Sequence, residues 1–325
     1  LIRAKITETK RRRYLLGVSG ICWKHSSTLK IRVEPASDTQ TIRRSNMADI
    51  LKGRVALVTG AARGIGAAIG EALLQNGCKV CLVDILEAEG KATCEKLKAK
   101  YGEESVCFRY TDVTKDDSFE GTFQDVIRQW GPITVFVSNA GVIDEKDYAK
   151  TIDVNLVSSI RAANMGLKYM GKDNGGKGGN LIFTASILGL FPYGQLPAYT
   201  ASKFGVVALA KCYASQQYKK SGITFSAICP GLTDTILGDI VLGLEATQER
   251  ELPHAGSFAR VIRTQTTPEL IAGGVIQLLK DNRNGAILLA HIAFESHYRY
   301  LSDEHLDPIA IIDATRPAEG FTEAQ

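Results

Sequence analysis

The chain has 325 residues, of which 45% are hydrophobic and 23% are charged, as is typical of a globular protein. No apolar run reaches the roughly 18–20 residues of a membrane-spanning helix, so we predict no membrane span. Residues 1–46 carry eleven basic and three acidic side chains, a net charge of +8. The net charge of the whole chain is +4, so residues 47–325 have a net charge of −4. That mildly acidic part offers no broad basic surface for nucleic acid, so we predict no nucleic-acid partner.

The basic segment at residues 1–46 is poor in acids and contains serine and threonine, which is typical of a mitochondrial transit peptide. The alternative is translated upstream sequence, because the chain begins at Leu1 and its first methionine is Met47. We favour the alternative and predict a cytoplasmic protein, whereas a real transit peptide would make it mitochondrial. On either interpretation, residues 1–46 are an extension outside the fold.

Short apolar runs alternate with segments of helical periodicity from residue 54 onward. We predict strands at 54–60, 79–84, 105–113, 133–141, 180–186, 223–231 and 285–291. We predict helices at 63–77, 87–100, 116–131, 147–170, 198–219 and 267–280. Apolar strands separated by helices indicate a parallel sheet covered on both faces. The predicted fold class is therefore α/β, a single Rossmann-type doubly wound sheet of about seven strands that binds ligands at their carboxyl ends.

Seven scattered cysteines, an odd number, indicate a reducing compartment and no disulfide framework. Cys78 and Cys81 form a C-x-x-C within a predicted strand, where residues three apart point to opposite faces. Buried thiols are therefore favoured over a redox or zinc site. The five histidines show no ligand spacing, so we predict no metal.

The segment TGAARGIG, residues 59–66, joins the first predicted strand to the first helix. Gly60, Gly64 and Gly66 let the backbone approach a pyrophosphate, and the helix N-terminus supplies N–H donors beside Arg63 and Ile65. A plain strand-to-helix turn is the alternative, because short glycine patterns are weak signals. The position of the loop in the chain favours a dinucleotide site.

Asp84 ends the second predicted strand, about 20 residues after the glycine loop. A carboxylate there accepts hydrogen bonds from an adenosine ribose and repels a 2′-phosphate, so it favours NAD over NADP. Arg63 is the opposing signal, because a guanidinium suits a phosphate. We give the carboxylate more weight and predict NAD as the cofactor.

Two further strand ends carry candidate cofactor contacts. Asp112 and Val113 follow the third strand, and the carboxylate is suited to accept from an adenine amino group. Asn139, Ala140 and Gly141 follow the fourth strand and are small enough for a flat nucleotide to pass close to the backbone. Each is by itself more often a turn than a ligand contact.

Five motifs in this order, TGxxxGIG, NAG, a serine after the fifth strand, YxxxK and a strand-ending PG, resemble the short-chain dehydrogenase/reductase family over about residues 50–291. The resemblance implies that Tyr199 is the acid/base in hydride transfer between a secondary alcohol and nicotinamide. It implies that Ser186 binds the substrate oxygen, that Asn155 supports a proton relay and that Lys203 binds the ribose. It further implies that Pro230, Gly231 and Thr235 face the nicotinamide, and that the protein is a homodimer.

Lys203 follows Tyr199 by four residues, which places both on one face of a helix. Lowering the pKa of a phenol from about 10 to about 7 needs roughly 4 kcal/mol. One cation at about 4 Å in a medium of effective dielectric near 20 supplies about that much. We therefore expect Lys203 to make Tyr199 a usable base, and an incidental surface pair is the alternative.

Within the family, segments such as NGGKGG and AICPG resemble two branches, the prostaglandin-oxidising dehydrogenases and the insect-type alcohol dehydrogenases. The prostaglandin branch has glutamine three residues before its tyrosine, where this chain has Leu196. We predict that Gln195 and Leu196 contact the substrate beside Ser186 and Tyr199, and that the apolar Leu196 favours an apolar alcohol. Residues 236–262 are the predicted lid, and their arginines are better explained as solvated than as partners of a substrate carboxylate.

These observations predict an NAD-dependent enzyme that oxidises a secondary alcohol on a lipid-like substrate, such as a hydroxy fatty acid or prostaglandin, or a small apolar alcohol. The dehydrogenase domain would span residues 47–300 and be followed by a tail at 301–325. The alternative is a non-catalytic dinucleotide-binding sensor or scaffold on the same fold, because fold does not prove function.

Overall fold

The computed structural model describes residues 50–246, 264–292 and 298–301. Within them one sheet contains eight strands. The strands are β1 (Val55–Thr59), β2 (Lys79–Asp84), β3 (Val106–Tyr110), β4 (Ile133–Ser138), β5 (Gly179–Thr184), β6 (Ile223–Pro230), β7 (Ile287–Ala290) and β8 (Tyr298–Tyr300).

Helices connect consecutive parallel strands. They are α1 (Gly64–Gln75), α2 (Glu87–Tyr101), α3 (Asp116–Trp130), α4 (Tyr148–Ile152), α5 (Ser158–Met170), α6 (Pro197–Ser221), α7 (Ile236–Ala246) and α8 (Pro268–Asp281). Their ends follow local signals in the sequence. The hydroxyl of Thr267 accepts from Leu270 N (3.3 Å) at the start of α8, and Gly222, with φ +64°, ends α6.

The strand order is β3-β2-β1-β4-β5-β6-β7-β8. The first seven strands run parallel, whereas β8 pairs antiparallel with β7. The predicted α/β fold class, a doubly wound sheet of about seven parallel strands, is confirmed. The antiparallel edge strand was not predicted, because its three residues give too short a pattern for period-two alternation.

The strands are apolar along their length because both faces of the sheet are covered. All five residues of β1 and all eight of β6 are buried. The core accordingly divides into two apolar clusters, one around Phe136 and Phe183 and the other around Val58 and Ile182. Burial on both faces explains why the strands have continuous rather than alternating apolar patterns.

The predicted helix at 147–170 is interrupted. Residues Asp153–Val157 form one π-helical turn between α4 and α5. Such turns occur mostly inside α-helices, and often at functional sites. Apolar periodicity could not reveal it, because one extra residue per turn changes the pattern very little over five residues.

The strand order reverses between β1 and β4, so the carboxyl ends of these strands diverge and leave a crevice. The six cysteines within the described residues are free; Cys78 lies just before β2 and Cys81 lies inside it, and both are buried. In the described part of the chain, no helix has the length and apolarity needed to cross a membrane.

Candidate active site

A cavity of about 600 Å³ opens at the carboxyl ends of the parallel strands. Its wall includes every predicted cofactor contact: Gly60, Arg63, Gly64, Ile65, Gly66, Asp84, Asp112, Val113, Asn139, Ala140, Gly141, Tyr199, Lys203, Pro230, Gly231 and Thr235. Ser186 also lies on the wall. The fold thus brings residues from six strand ends and the helix α6 to one place.

The glycine loop needs glycine for steric reasons. Gly60 and Gly64 have φ values of +64° and +58°, in the left-handed region. A Cβ on Gly66 would lie 2.1 Å from the carbonyl oxygen of Gly60. The loop therefore forms a close-packed cradle at the N-terminus of α1, which fits a dinucleotide pyrophosphate.

Asp84 braces the glycine loop from the end of β2. Its Oδ2 accepts from Ala62 N (2.9 Å), and its Oδ1 accepts from Leu86 N (3.0 Å). No ion pair connects Asp84 to the exposed Arg63 within the part of the chain that the structure describes. Asp84 thus lies on the cavity wall beside the cradle, with no ion pair to it among the described residues.

Asn139 joins the ends of β1 and β4. Its side-chain amide donates to the carbonyl oxygens of Thr59 (3.0 Å) and Gly60 (3.2 Å), while Thr59 Oγ1 accepts from Asn139 N (2.9 Å). These bonds hold the loop and β4 together. The Asn139 side chain therefore shapes the cradle, whereas the sequence suggested only that it was small.

Asp112 is also engaged within its own loop. Its Oδ1 accepts from both the main-chain N (2.9 Å) and the Oγ1 (2.7 Å) of Thr114. Burial acts to raise its pKa, but the two hydrogen bonds from Thr114 together with the charges of Lys115 and Arg161 lower it below its usual value. The group is thus a carboxylate at neutral pH, able to accept from a donor in the cavity.

Ser186 follows β5, whereas Tyr199 and Lys203 lie in the first two turns of α6. All three residues are buried on the cavity wall, and the side chain of Ser186 hydrogen-bonds that of Tyr199. The ammonium of Lys203 donates to the carbonyl oxygen of Thr184 (2.8 Å) and lies 5.6 Å from the centroid of the Tyr199 ring. The three side chains thus form one group, as the family resemblance implied.

The expectation that Lys203 alone brings the Tyr199 pKa toward neutrality is wrong for this structure. Burial raises the pKa of Tyr199 to about 12, although the hydrogen bond from Ser186 acts to lower it. Burial also lowers the pKa of Lys203 to about 8. Desolvation disfavours the charged form of both groups and outweighs the attraction between the phenolate and the ammonium.

Asn155 lies in the π-helical turn and is fully buried. Its Oδ1 accepts from Val142 N (2.8 Å), and its Nδ2 donates to Val142 O (2.9 Å) and Ser202 Oγ (3.1 Å). Its side chain does not reach the cavity wall. Asn155, predicted as part of the catalytic set, is therefore placed as a support for the residues on either side of the site.

The predicted substrate contacts need a correction. Leu196 is 1% exposed and packs in the apolar core, and neither it nor Gln195 lies on the cavity wall. The helix α6 begins at Pro197, and Leu196 turns inward beneath that helix start. The apolar wall is instead formed by Ile143, Leu188, Tyr193, Leu232, Leu237 and Val241.

The helix α7 begins the predicted lid at 236–262, and Ile236 and Val241 lie on the cavity wall. Residues 247–263, with the lid arginines, lie outside the described residues. Within the described residues, no cluster of three or more His, Cys, Asp or Glu side chains is placed to hold a metal.

Two groups near the site, the half-buried Glu145 and the buried His291, were missed by sequence reasoning. Glu145 accepts hydrogen bonds from the start of α6, and His291 packs so closely on Gly231 that a Cβ there would lie 2.0 Å from its Cδ2. Both lie far along the chain from their partners. A lone carboxylate or imidazole carries no pattern, so only the folded chain reveals these contacts.

The model of the short chain dehydrogenase family matches residues 54–240. The chain is 39% identical over 243 residues to 15-hydroxyprostaglandin dehydrogenase [NAD(+)] of Bos taurus, covering 73% of this chain and 91% of the relative. It is 33% identical to 3beta-hydroxysteroid dehydrogenase 2 of Eggerthella lenta, with 71% and 90% covered. The solved structure titled "Crystal structure of gox2181" matches with a TM-score of 0.64 at 25% identity, covering 75% of this chain and 96% of that one.

The fold and the cavity at its strand ends are those of a dinucleotide-dependent oxidoreductase. The chain belongs to the short-chain dehydrogenase family, since the family model spans more than half of its length. The predictions of this family and of an oxidoreductase are confirmed.

Proposed function

We propose that this protein is an NAD-dependent dehydrogenase that oxidises a secondary alcohol on an apolar carbon framework to a ketone. The observation that carries the proposal is the convergence of Ser186, Tyr199 and Lys203 on a cavity that is lined both by the glycine cradle and by apolar side chains. The relatives named above are dehydrogenases of a hydroxyprostaglandin and a hydroxysteroid, each a hydroxyl on an apolar framework. Asp84 favours NAD by its charge at the end of β2.

Each step follows from the position of a side chain. The Ser186 hydroxyl hydrogen-bonds the substrate oxygen, and Tyr199 Oη, once ionised to the phenolate, takes the alcohol proton. The glycine cradle and Asp84 would hold NAD⁺, which would supply the hydride acceptor and a positive charge beside the phenol. Lys203, held by Thr184 O, would bind the ribose hydroxyls and would favour the phenolate by its charge. The carbinol carbon loses two electrons and becomes a carbonyl, and the proton leaves through Tyr199.

The test mixes the purified protein with NAD⁺ and a panel of alcohols, and follows the absorbance of NADH. The panel contains a 15-hydroxyprostaglandin, a 3β-hydroxysteroid, secondary hydroxy fatty acids and short secondary alcohols. Tyr199→Phe is expected to remove turnover while NAD⁺ still binds. Tyr218→Phe, on the exposed side of the same helix, is the matched control and is expected to keep full activity.

Two outcomes count against the proposal. A fully active Tyr199→Phe variant rules out the proposed acid/base. NAD⁺ binding without turnover of any alcohol or ketone favours the alternative, a dinucleotide-binding sensor. The intact Ser186, Tyr199 and Lys203 group argues against that alternative, because binding alone does not need a group suited to proton transfer.

We also propose a cytoplasmic homodimer: the family resemblance supports the dimer, and the odd number of scattered cysteines supports a reducing compartment. The proposed dehydrogenase domain is 47–300, with the extension 1–46 before it and the tail 301–325 after it. Light scattering tests the dimer, and cell fractionation tests the compartment. Mass spectrometry of the native N-terminus distinguishes the cytoplasmic from the mitochondrial alternative.

A further inference from the structure

Glu145 lies in the loop between β4 and α4, half-buried and away from the cavity wall. Its Oε2 accepts from Ala198 N (3.0 Å), and its Oε1 accepts from Tyr199 N (2.9 Å). The residue that precedes α6, Leu196, makes no side-chain cap hydrogen bond. A carboxylate 54 residues earlier in the chain therefore caps the helix that carries Tyr199.

The loop that holds Glu145 is itself braced. Asp144 N donates to Thr151 Oγ1 (3.0 Å), and this hydroxyl donates back to Asp144 O (2.7 Å). Asp147 N donates to Asp144 Oδ1 (3.0 Å), and Asp147 in turn caps α4. These bonds hold the backbone on both sides of Glu145, and so they limit where its carboxylate can lie.

The backbone of Tyr199 is held at both of its polar groups. Glu145 accepts from its N–H, and Ser202 Oγ donates to its carbonyl oxygen (2.6 Å). Ser202 Oγ is in turn the acceptor for Asn155, which also binds the main chain of Val142 at the other end of the Glu145 loop. One loop thus clamps the acid/base residue from both sides.

We infer that Glu145 is a positioning residue for the reaction: it sets the place of the Tyr199 phenol relative to the Ser186 hydroxyl. This inference rests on the proposed function. Because Glu145 touches neither the cavity nor its contents, it acts only through the backbone of α6. A purely structural cap would stabilise the helix without affecting the chemical step.

The test uses the full-length protein with Glu145→Ala and Glu145→Gln. The alanine removes both acceptors, and the glutamine keeps one oxygen. Glu71→Ala is the matched control, because Glu71 is a carboxylate bound to Lys100 and Tyr101 on the far side of α1. We measure kcat, KM, NAD⁺ affinity, the pH profile of kcat, and amide exchange in residues 197–203.

The expected result for Glu145→Ala is a fall in kcat of about 10- to 100-fold, the scale of a small misplacement of a reacting group. KM and NAD⁺ affinity stay at wild-type values, and the apparent pKa in the kcat profile rises as the phenol moves from the Ser186 hydroxyl. Amide exchange in residues 197–203 becomes faster. Glu145→Gln gives intermediate values, and Glu71→Ala gives wild-type values.

Wild-type kcat and an unshifted pH profile in a folded Glu145→Ala variant would overturn the inference, even if its melting temperature falls. Unchanged exchange in residues 197–203 would overturn it as well. Should the wild type oxidise no alcohol, the proposed function fails, and the exchange comparison still decides whether Glu145 positions Tyr199.

Discussion

The ammonium of Lys203 lies 5.6 Å from the centroid of the Tyr199 ring, and donates to the carbonyl oxygen of Thr184 at 2.8 Å. Burial is the main cause of the pKa shifts of both residues. The pKa of Tyr199 is raised to about 12, and that of Lys203 is lowered to about 8. At neutral pH the protein thus pairs a protonated phenol with an ammonium that is close to losing its proton.

Lys203 gives the protein a pH-dependent stability. Its pKa falls from 10.5 in the unfolded chain to about 8 in the fold, so between these values the unfolded state binds more protons. The contribution of Lys203 to the free energy of unfolding therefore rises with pH across this window. We expect unfolding by urea to show that wild type gains about 3 kcal/mol relative to Lys203→Met between pH 8 and pH 10.5.

The matched control for that experiment is Lys219→Met, at an exposed position near the end of α6. The free energy of unfolding of this variant is expected to differ from that of wild type by a constant amount across the same pH window. If the difference in the free energy of unfolding between wild type and Lys203→Met is also constant across this window, the lowered pKa of Lys203 is contradicted. The raised pKa of Tyr199 acts in the opposite sense, and only above about pH 10, where the unfolded phenol ionises first.

Replacing Asn155 is expected to weaken both the fold and the reaction. Asn155→Ala leaves the part-buried N–H and carbonyl of Val142 without their partner, at a cost of about 2 kcal/mol in the free energy of unfolding. It also frees Ser202, which holds Tyr199, so kcat should fall. Asn164→Ala, at an exposed position on α5, is the control. Equal stability of the two variants would show that the Asn155 bonds are not made.

The close packing of the glycine loop predicts opposite effects for two glycine-to-alanine changes. Gly66→Ala drives a Cβ into the Gly60 carbonyl and is expected to cost at least about 2 kcal/mol and to weaken NAD⁺ binding. Gly121→Ala, in α3 with open space around it, is expected to stabilise by up to about 1 kcal/mol. Thermal unfolding and cofactor titration measure both. Wild-type NAD⁺ affinity in Gly66→Ala would argue against the cradle.

Asp84 is expected to set the preference between NAD and NADP. Asp84→Asn removes the charge that repels a 2′-phosphate, a repulsion worth about 1–4 kcal/mol at about 4 Å, while keeping one acceptor for the backbone. The kcat/KM ratio of NADP to NAD should rise about tenfold or more. Glu89→Gln, exposed on α2, should leave the ratio unchanged. An unchanged ratio in Asp84→Asn would contradict this role of Asp84 and would make Arg63 the next candidate for setting the cofactor preference.

The sequence by itself determined the fold class and the cofactor contacts on the cavity wall. Alternating apolar runs and helical periods specify parallel strands, and parallel strands bring their carboxyl ends to one edge. Motifs such as the glycine loop and the Tyr199–Lys203 pair depend on local spacing, because residues four apart share a helix face. The structure accordingly places them together, as expected from the residues alone.

Only the tertiary structure decided the energetics and the supports of the site. Burial of Tyr199 and Lys203 depends on neighbours from the whole chain, so their pKa values could not be read from their spacing. The bonds from Glu145 to Tyr199 and from Asn155 to Val142 join groups with no periodic signal, and the inward turn of Leu196 depends on where α6 begins. Local patterns specify secondary structure, whereas desolvation and long-range hydrogen bonds exist only once the chain is folded.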